Sequence, residues 1–369
     1  MEKIAIIGIG RLGLCLALNL ERVGYSVVGV DLNQQYVDSI NSKTIDSSEP
    51  LVNDYLKESS NFIATTKIEE VFFQKCQFIF IVVPTPSSLS GEFSHAHIDS
   101  IITELENHGK QSTTKHIIIN STCMPGYCNS IKEKLEYLNY TLTYNPEFIA
   151  QGTIIKDQQH PDQVLIGSSN PQTGLFIQNI YSKLCVNNPI FCHMSLTSAE
   201  ITKLATNCFL TTKISFANAI GDIATKVGAE PEKILEAIGA DTRIGTKYFK
   251  YGFGYGGPCF PRDNKAFTQF ASKVDYHMLI SEATDKANET HSDFLVNDWQ
   301  LKYSKQETII FDSVTYKKDT DIIEESQQLK LAVALAKSGK KVLIKEKSAV
   351  VKLLIDSYGD LFLYQIDAN

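Results

Sequence analysis

The stretch Ile4-Ala5-Ile6-Ile7-Gly8-Ile9-Gly10-Arg11-Leu12-Gly13 decides the fold. Its first four residues read as a short buried strand, and the glycine triplet follows at once. Leu14 to Val23 then takes helical apolar spacing, Gly24 ends it, and Ser26 to Val30 is a second strand closed by Asp31. Such a triplet alone means little. Set between a strand and a helix, with an acid eighteen residues after the last glycine, it marks a dinucleotide site. Gly8, Gly10 and Gly13, with Arg11 and Leu12 between them, let the backbone turn tightly and approach a pyrophosphate at the positive helix N-terminus. Asp31 is expected to accept hydrogen bonds from the adenosine ribose. Leu32, Asn33 and Gln34 offer no arginine for a 2′-phosphate, so NAD is expected over NADP.

Alternation continues outward. Phe78 to Val83 is an apolar strand ending in Pro84-Thr85-Pro86, and Ile117 to Asn120 another ending in Ser121-Thr122. Continuous apolar strands separated by helices predict an α/β fold with a Rossmann-type, doubly wound parallel sheet. Ligands lie beyond the C-terminal strand ends of such sheets, which adds Val83, Pro84, Thr85, Ser121 and Thr122 to the expected cofactor site. From Thr197 the pattern becomes one long helix, with Thr197 and Glu200 as a capping box and Gly228 and Pro231 as its stop. About thirty residues at ~1.5 Å each span roughly 45 Å, a length that joins domains or forms a subunit interface. Lys203 and Asn207 share a face of it. Thr308 to Phe311, Glu324 to Lys337 and Lys341 to Ile344 read as a second strand–helix–strand unit. The chain is thus expected to comprise a nucleotide domain over 1–195, a central helical dimerisation segment over 196–300 and a truncated α/β domain over 301–369.

The 369 residues carry 35 Lys and Arg against 42 Asp and Glu, a formal charge of −7, which argues against binding along a nucleic-acid backbone. No apolar run is long enough to cross a membrane, and no leader is read at the N-terminus, so a cytoplasmic location is expected. The eight cysteines form no CxxC pair and suggest neither a metal site nor a disulfide framework. Seven read as small buried hydrophobes. Cys259 differs: it lies in Gly252-Phe-Gly-Tyr-Gly-Gly-Pro-Cys-Phe-Pro-Arg-Asp263, a loop no core element would tolerate, with Arg262 and Asp263 beside it. Flexible backbone and adjacent charge suit an exposed, stabilised thiolate.

Together these residues resemble the nucleotide-sugar 6-dehydrogenases, in particular the UDP-glucose branch. The shared stretches are the N-terminal fingerprint, Glu49-Pro50, Ser121-Thr122, Asn145-Pro146-Glu147-Phe148, Gly152 to Asp157, Pro161-Asp162, Lys203 to Phe209, Arg243-Ile244-Gly245, Gly252 to Asp263 and Lys317 to Thr320. The resemblance implies an NAD-dependent double oxidation of UDP-glucose at C6, through an enzyme thioester on Cys259, in a homodimer. It implies that Lys203 and Asn207 stabilise the oxyanion, that Asp263 holds Lys203 and a water, and that Glu147 and Thr122 assist proton transfer. By the same resemblance Glu147, Phe148, Gln151, Lys203, Asn207, Arg243, Lys250, Tyr251, Gly252, Tyr255, Gly256, Phe260 and Lys317 bind the nucleotide sugar, and Arg262 and Gln151 join the cofactor set. Arg243 would reach the neighbouring subunit's site. Several features depart from the family pattern: Gln151 replaces a glutamate, Glu324 stands where an arginine often contacts NAD, the C-terminal domain is short, and the strand leading to Lys317 reads Phe-Asp-Ser-Val-Thr-Tyr without the usual glycine. GDP-mannose or a UDP-N-acetylhexosamine as substrate, and a non-catalytic nucleotide-sugar-binding homologue, are the open alternatives.

Overall fold

A computed structural model describes residues 2–73, 75–149, 151–303, 307–318 and 320–367. The chain divides into two compact units, Met1–Lys203 and Leu204–Asn369.

The first unit opens with β1 (Lys3–Ile7), α1 (Arg11–Arg22), β2 (Ser26–Val30), α2 (Gln34–Asn41), α3 (Val52–Glu58), β3 (Phe62–Thr65) and α4 (Glu70–Phe73). It continues with β4 (Phe78–Ile81), α5 (Ala96–His108), β5 (Lys115–Ile119), α6 (Tyr127–Tyr137), β6 (Tyr140–Tyr144), α7 (Ile154–Gln159), β7 (Gln163–Ser168), α8 (Pro171–Leu184) and β8 (Ile190–Met194). The strands form one eight-stranded sheet in the order β3-β2-β1-β4-β5-β6-β7-β8. Ile79, Phe80, Ile81, Ile117, Ile118 and Ile119 are all fully buried, as central strands covered on both faces require.

The expected parallel sheet holds for every neighbouring pair but one. β6 and β7 run antiparallel and meet only at Thr143↔Ser168 and Tyr144↔Gly167. The connection between them carries a single short helix, α7, too little for a crossover to the far end of the sheet. It therefore keeps residues 145–149 and 151–162 at the C-terminal strand ends.

α9 (Leu196–Lys226) begins in the first unit and runs into the second. Its expected capping box does not form. Thr197 lies inside the first turn, Ser195 Oγ accepts from Ser198 N at 3.2 Å, and Glu200 accepts from Gly126 N at 2.6 Å and Cys128 N at 2.8 Å. Glu200 thus caps the start of α6 instead, where otherwise unpartnered N–H groups attract a carboxylate.

The second unit then contains α10 (Pro231–Gly239), α11 (Phe260–Lys273), α12 (Leu279–Lys302), β9 (Thr308–Phe311), α13 (Gln327–Lys337), β10 (Lys341–Glu346), α14 (Ser348–Tyr358) and β11 (Leu363–Ile366). β9, β10 and β11 form a parallel sheet in the order β11-β10-β9 over its own apolar core. α13 starts three residues later than its apolar pattern suggests. Ser326 caps it by accepting from Leu329 N at 3.2 Å, which leaves Glu324 exposed before the helix. No helix among the described residues is long and apolar enough to cross a membrane.

Candidate active site

Two of the three fingerprint glycines have a steric reason of their own. Gly8 adopts φ +93°, and a Cβ there would stand 2.4 Å from Val82 O. A Cβ on Gly13 would stand 2.0 Å from Gly8 O, so only glycine lets α1 pack against that turn. Gly10 is different: nothing lies within 4 Å of the corresponding position. It precedes α1 without a side-chain cap, so no side chain of the N-cap residue covers the positive end of the helix. That open cradle suits a pyrophosphate. Asp31 closes β2 and accepts from Asn33 N at 3.0 Å. Ser121 Oγ accepts from Val83 N at 2.9 Å, and Thr85 Oγ1 donates to Thr122 O at 2.9 Å. These bonds tie the ends of β4 and β5 together around Pro84. Leu12 packs on the core, while Arg11 donates to Gln151 Oε1 at 3.0 Å. Where a glutamate would form an ion pair with Arg11, glutamine forms a neutral-acceptor hydrogen bond. The residues present fit NAD.

A second cluster gathers on the segment after β6. Asn145 fixes its start, donating to Leu165 O at 2.8 Å and accepting at its carbonyl from Asn120 Nδ2 at 2.7 Å. Lys203, buried on α9, donates to Glu147 O at 2.8 Å and lies 4.6 Å above the Phe148 ring. The Glu147 carboxylate accepts from Gln158 Nε2 at 3.1 and 3.3 Å. Burial pushes Glu147 up to about 7, against the opposing pull of the Gln158 hydrogen bond and the Lys203 charge. A carboxyl with that proton affinity exchanges a proton near neutral pH, as a general base must. Glu49, buried, accepts from Gly152 N at 2.7 Å and Ile154 N at 3.4 Å, and so fixes the backbone beside Gln151.

In the second unit Cys259 is the exposed cysteine of the eight, and no disulfide joins any of them. It caps the N-terminus of α11, where the helix dipole favours a thiolate. By contrast, burial pushes the thiols of Cys76 and Cys185 up to about 11 and that of Cys208 to about 12. One turn into α11, buried Asp263 accepts from Asn207 Nδ2 at 2.6 Å. Asn207 stands one turn beyond Lys203 along α9.

The glycine-rich loop is anchored at several points. Asn218 accepts from Gly252 N at 3.1 Å, and His291 Nε2 meets Gly252 O at 2.6 Å. His291 Nδ1 meets the Asp222 carboxylate at 2.9 Å, and Tyr251 donates to the same carboxylate at 3.0 Å. Asn288 pairs with both backbone groups of Tyr255, at 3.0 and 3.1 Å. The hydroxyl of buried Tyr255 donates to Asp285. Gly256 and Gly257 admit close packing, since a Cβ would stand 2.2 Å from Glu325 O or 2.3 Å from the Tyr316 ring. Phe260 sits edge-on to Tyr248, and Arg262 Nη1 points back to Pro258 O at 3.5 Å.

Of the other expected sugar contacts, Lys250 is exposed, and Arg243 is 87% exposed and paired with Asp241 at 2.6 Å. Lys317 is half-buried at the end of a loop that Glu346 holds through Val314 N at 2.9 Å and Thr315 N at 3.2 Å. Sequence reasoning assigned no role to Gln158, Asn19, His291, Asn288 or Glu346. Each is buried and polar, and its partners lie far away along the chain.

Residues 2–185 match the NAD-binding domain of the UDP-glucose/GDP-mannose dehydrogenase family, and residues 197–290 match that family's central domain. A UDP-glucose 6-dehydrogenase of Bacillus subtilis is 29% identical over 347 residues, which cover 90% of this chain and 77% of the relative. The solved structure of a UDP-glucose dehydrogenase from the hyperthermophilic archaeon Pyrobaculum islandicum superposes with a TM-score of 0.88 at 26% identity, covering 100% of this chain and 86% of the other. A GDP-mannose dehydrogenase from Pseudomonas aeruginosa, solved as a ternary complex, gives 0.62 at 25% identity over 98% and 87%.

Proposed function

Because this chain belongs to the UDP-glucose/GDP-mannose dehydrogenase family, we propose that it oxidises the C6 hydroxymethyl of UDP-glucose to a carboxylate through a Cys259 thioester. The chain is an oxidoreductase of nucleotide sugars, and its cofactor is NAD. Gly8, Gly10, Gly13 and Asp31 would hold NAD⁺, which would supply the hydride acceptor for both oxidations.

The remaining work falls to side chains. After the first oxidation the Cys259 thiolate adds to the aldehyde carbon, forming a C–S bond and a thiohemiacetal. Loss of the second C6 hydrogen as hydride, with the hydroxyl proton, leaves a thioester. Water then adds, the C–S bond breaks, and the thiolate departs from UDP-glucuronate. Lys203 and Asn207, one turn apart on α9, stabilise the negative oxygen in these steps, and Asp263 orients the Asn207 amide. Glu147 acts as the base, assisted by Thr122. Arg243, Lys250, Phe260 and Lys317 hold the nucleotide sugar, with Phe148, Tyr251, Gly252, Tyr255 and Gly256 shaping its surroundings.

The observation that carries this reading is an exposed Cys259 at the start of α11, one turn before an Asp263 bonded to Asn207. The test counts product. Two NADH per UDP-glucuronate are expected, and Cys259→Ala should form no acid. One NADH per sugar, or acid from the alanine variant, would reject the thioester route. Likeness to a GDP-mannose dehydrogenase supports a second substrate reading. Comparing kcat/KM for UDP-glucose and GDP-mannose decides it.

The unit of function is proposed to be a homodimer. On α9, Phe209, Phe216 and Ile223 recur every seven residues, Val227 follows just past the helix end, and each is more than half exposed. A second copy of the chain would cover this stripe.

A further inference from the structure

We propose that Gln158 and Asn19 act as a positioning pair that holds the Glu147 carboxylate in its charged, hydrogen-bonding form. The inference rests on the reading of Glu147 as the base. Asn19 belongs to the buried side of α1, the helix of the dinucleotide fingerprint, and Gln158 to α7. Their side chains are 1% and 2% exposed, so a misdirected amide there would find no water to satisfy it.

The direction of every bond in this chain is fixed by one carbonyl. Ile155 O can only accept, and Asn19 Nδ2 reaches it at 3.3 Å. The same amino group donates to Gln158 Oε1 at 2.8 Å. Asn19 Oδ1, at its other end, accepts from Gln159 Nε2 at 2.9 Å. With the oxygen of Gln158 turned toward Asn19, its NH₂ must face Glu147, and Nε2 lies 3.1 and 3.3 Å from the two carboxylate oxygens. A flipped Gln158 would point oxygen at the carboxylate oxygens on one side and NH₂ at the Asn19 NH₂ on the other. Asn19 therefore orients a donor it does not share with Glu147, and that donor favours the carboxylate over the acid.

The other titratable groups around the carboxyl come from separate elements. Lys203 on α9 favours the charged form, in the same sense as Gln158. Tyr181 on α8, Cys15 on α1 and Cys185 after α8 are all raised by burial and by Glu147 itself, so they face it as neutral groups. Gln158 is thus the largest of the influences, with Lys203, Asn120 and Tyr181, that oppose the burial driving Glu147 toward its acid. Because an amide carries no charge, it does so without adding an ion to the site.

The test follows Glu147 directly by carbon NMR of the side-chain carboxyl in glutamate-labelled protein, with the resonance assigned by its loss in Glu147→Gln. Loss of a hydrogen bond to a charged group should raise the titration midpoint in Gln158→Leu by about one pH unit. Asn19→Asp is nearly isosteric and does not touch Glu147. Its carboxylate demands the NH₂ of Gln158, turns the Gln158 oxygen toward Glu147, and should raise the midpoint as well. The acidic limb of kcat should move by the same amount in both variants. A midpoint that stays in place or falls in folded Gln158→Leu or Asn19→Asp would overturn the pair. A midpoint that rises while the acidic limb of kcat stays fixed would uphold the pair and reject Glu147 as the base.

Discussion

Replacing Glu147 by glutamine should free the fold from a pH dependence that the carboxyl imposes. Burial raises this group to about 7 from its usual 4.5, so between those values the folded chain keeps a proton that the unfolded chain has released. For a raised carboxyl the stability contribution is complete below the unfolded value and is lost as pH climbs through the folded one. At about 1.4 kcal/mol per pH unit the loss is at most about 3.5 kcal/mol. Glu147 is only half-buried, and solvent screening brings the expected figure to about 2 kcal/mol. Glutamine keeps the shape and cannot ionise. The stability of Glu147→Gln relative to the parent should therefore rise by about 2 kcal/mol between pH 4 and pH 8. Urea unfolding followed by far-ultraviolet circular dichroism at both pH values measures this double difference. A constant offset between the two proteins, or a variant that loses ground at high pH, would refute the electrostatic account of Glu147.

Two glycine substitutions should separate folding from cofactor binding. Gly13→Ala places a methyl 2.0 Å from Gly8 O and should lower the melting temperature, at a cost of about 3 kcal/mol for backbone displacement. Gly10→Ala meets nothing within 4 Å, so its melting temperature should stay within a few degrees while titration shows NAD⁺ binding weakened tenfold or more. His291→Leu strips Gly252 O and the Asp222 carboxylate of a buried partner and should cost about 3 kcal/mol, read by urea unfolding together with reduced turnover. Phe216→Asp on the exposed stripe of α9 should shift the sedimenting species toward monomer, and an unchanged dimer would place the interface elsewhere.

What could be read in advance was whatever the chain writes locally. The order from Ile4 to Asp31 yields β1, α1, the cradle and β2 because strand, turn and helix signals there are contiguous and mutually consistent. The loop around Cys259 was legible for the same reason, since glycine and proline punctuate it densely. Thr197 and Glu200 misled because a capping box is a local pattern that tertiary structure can take over. Glu200 found stronger use at N–H groups more than seventy residues away. The bonds from Asn19 to Gln158 and from Asn145 to Leu165 join residues 139 and 20 apart, and neither leaves any periodic trace. The reversal at β7 was hidden too, because apolar alternation reports burial and says nothing about strand direction.

The narrow join between β6 and β7 has a consequence for breathing. Two register pairs hold that seam, against five between β5 and β6 and five between β7 and β8, which makes it the weakest line in the sheet. Glu147 rides on the connection that crosses it. Any opening that wets this carboxyl lowers its proton affinity, so proton release from Glu147 and loosening of the seam favour one another by thermodynamic reciprocity. Amide protection in β7, corrected for intrinsic exchange, should decline as pH passes through 7 and should stay level in Glu147→Gln. A sheet built this way carries a buried, titrating carboxyl beside its least-paired seam.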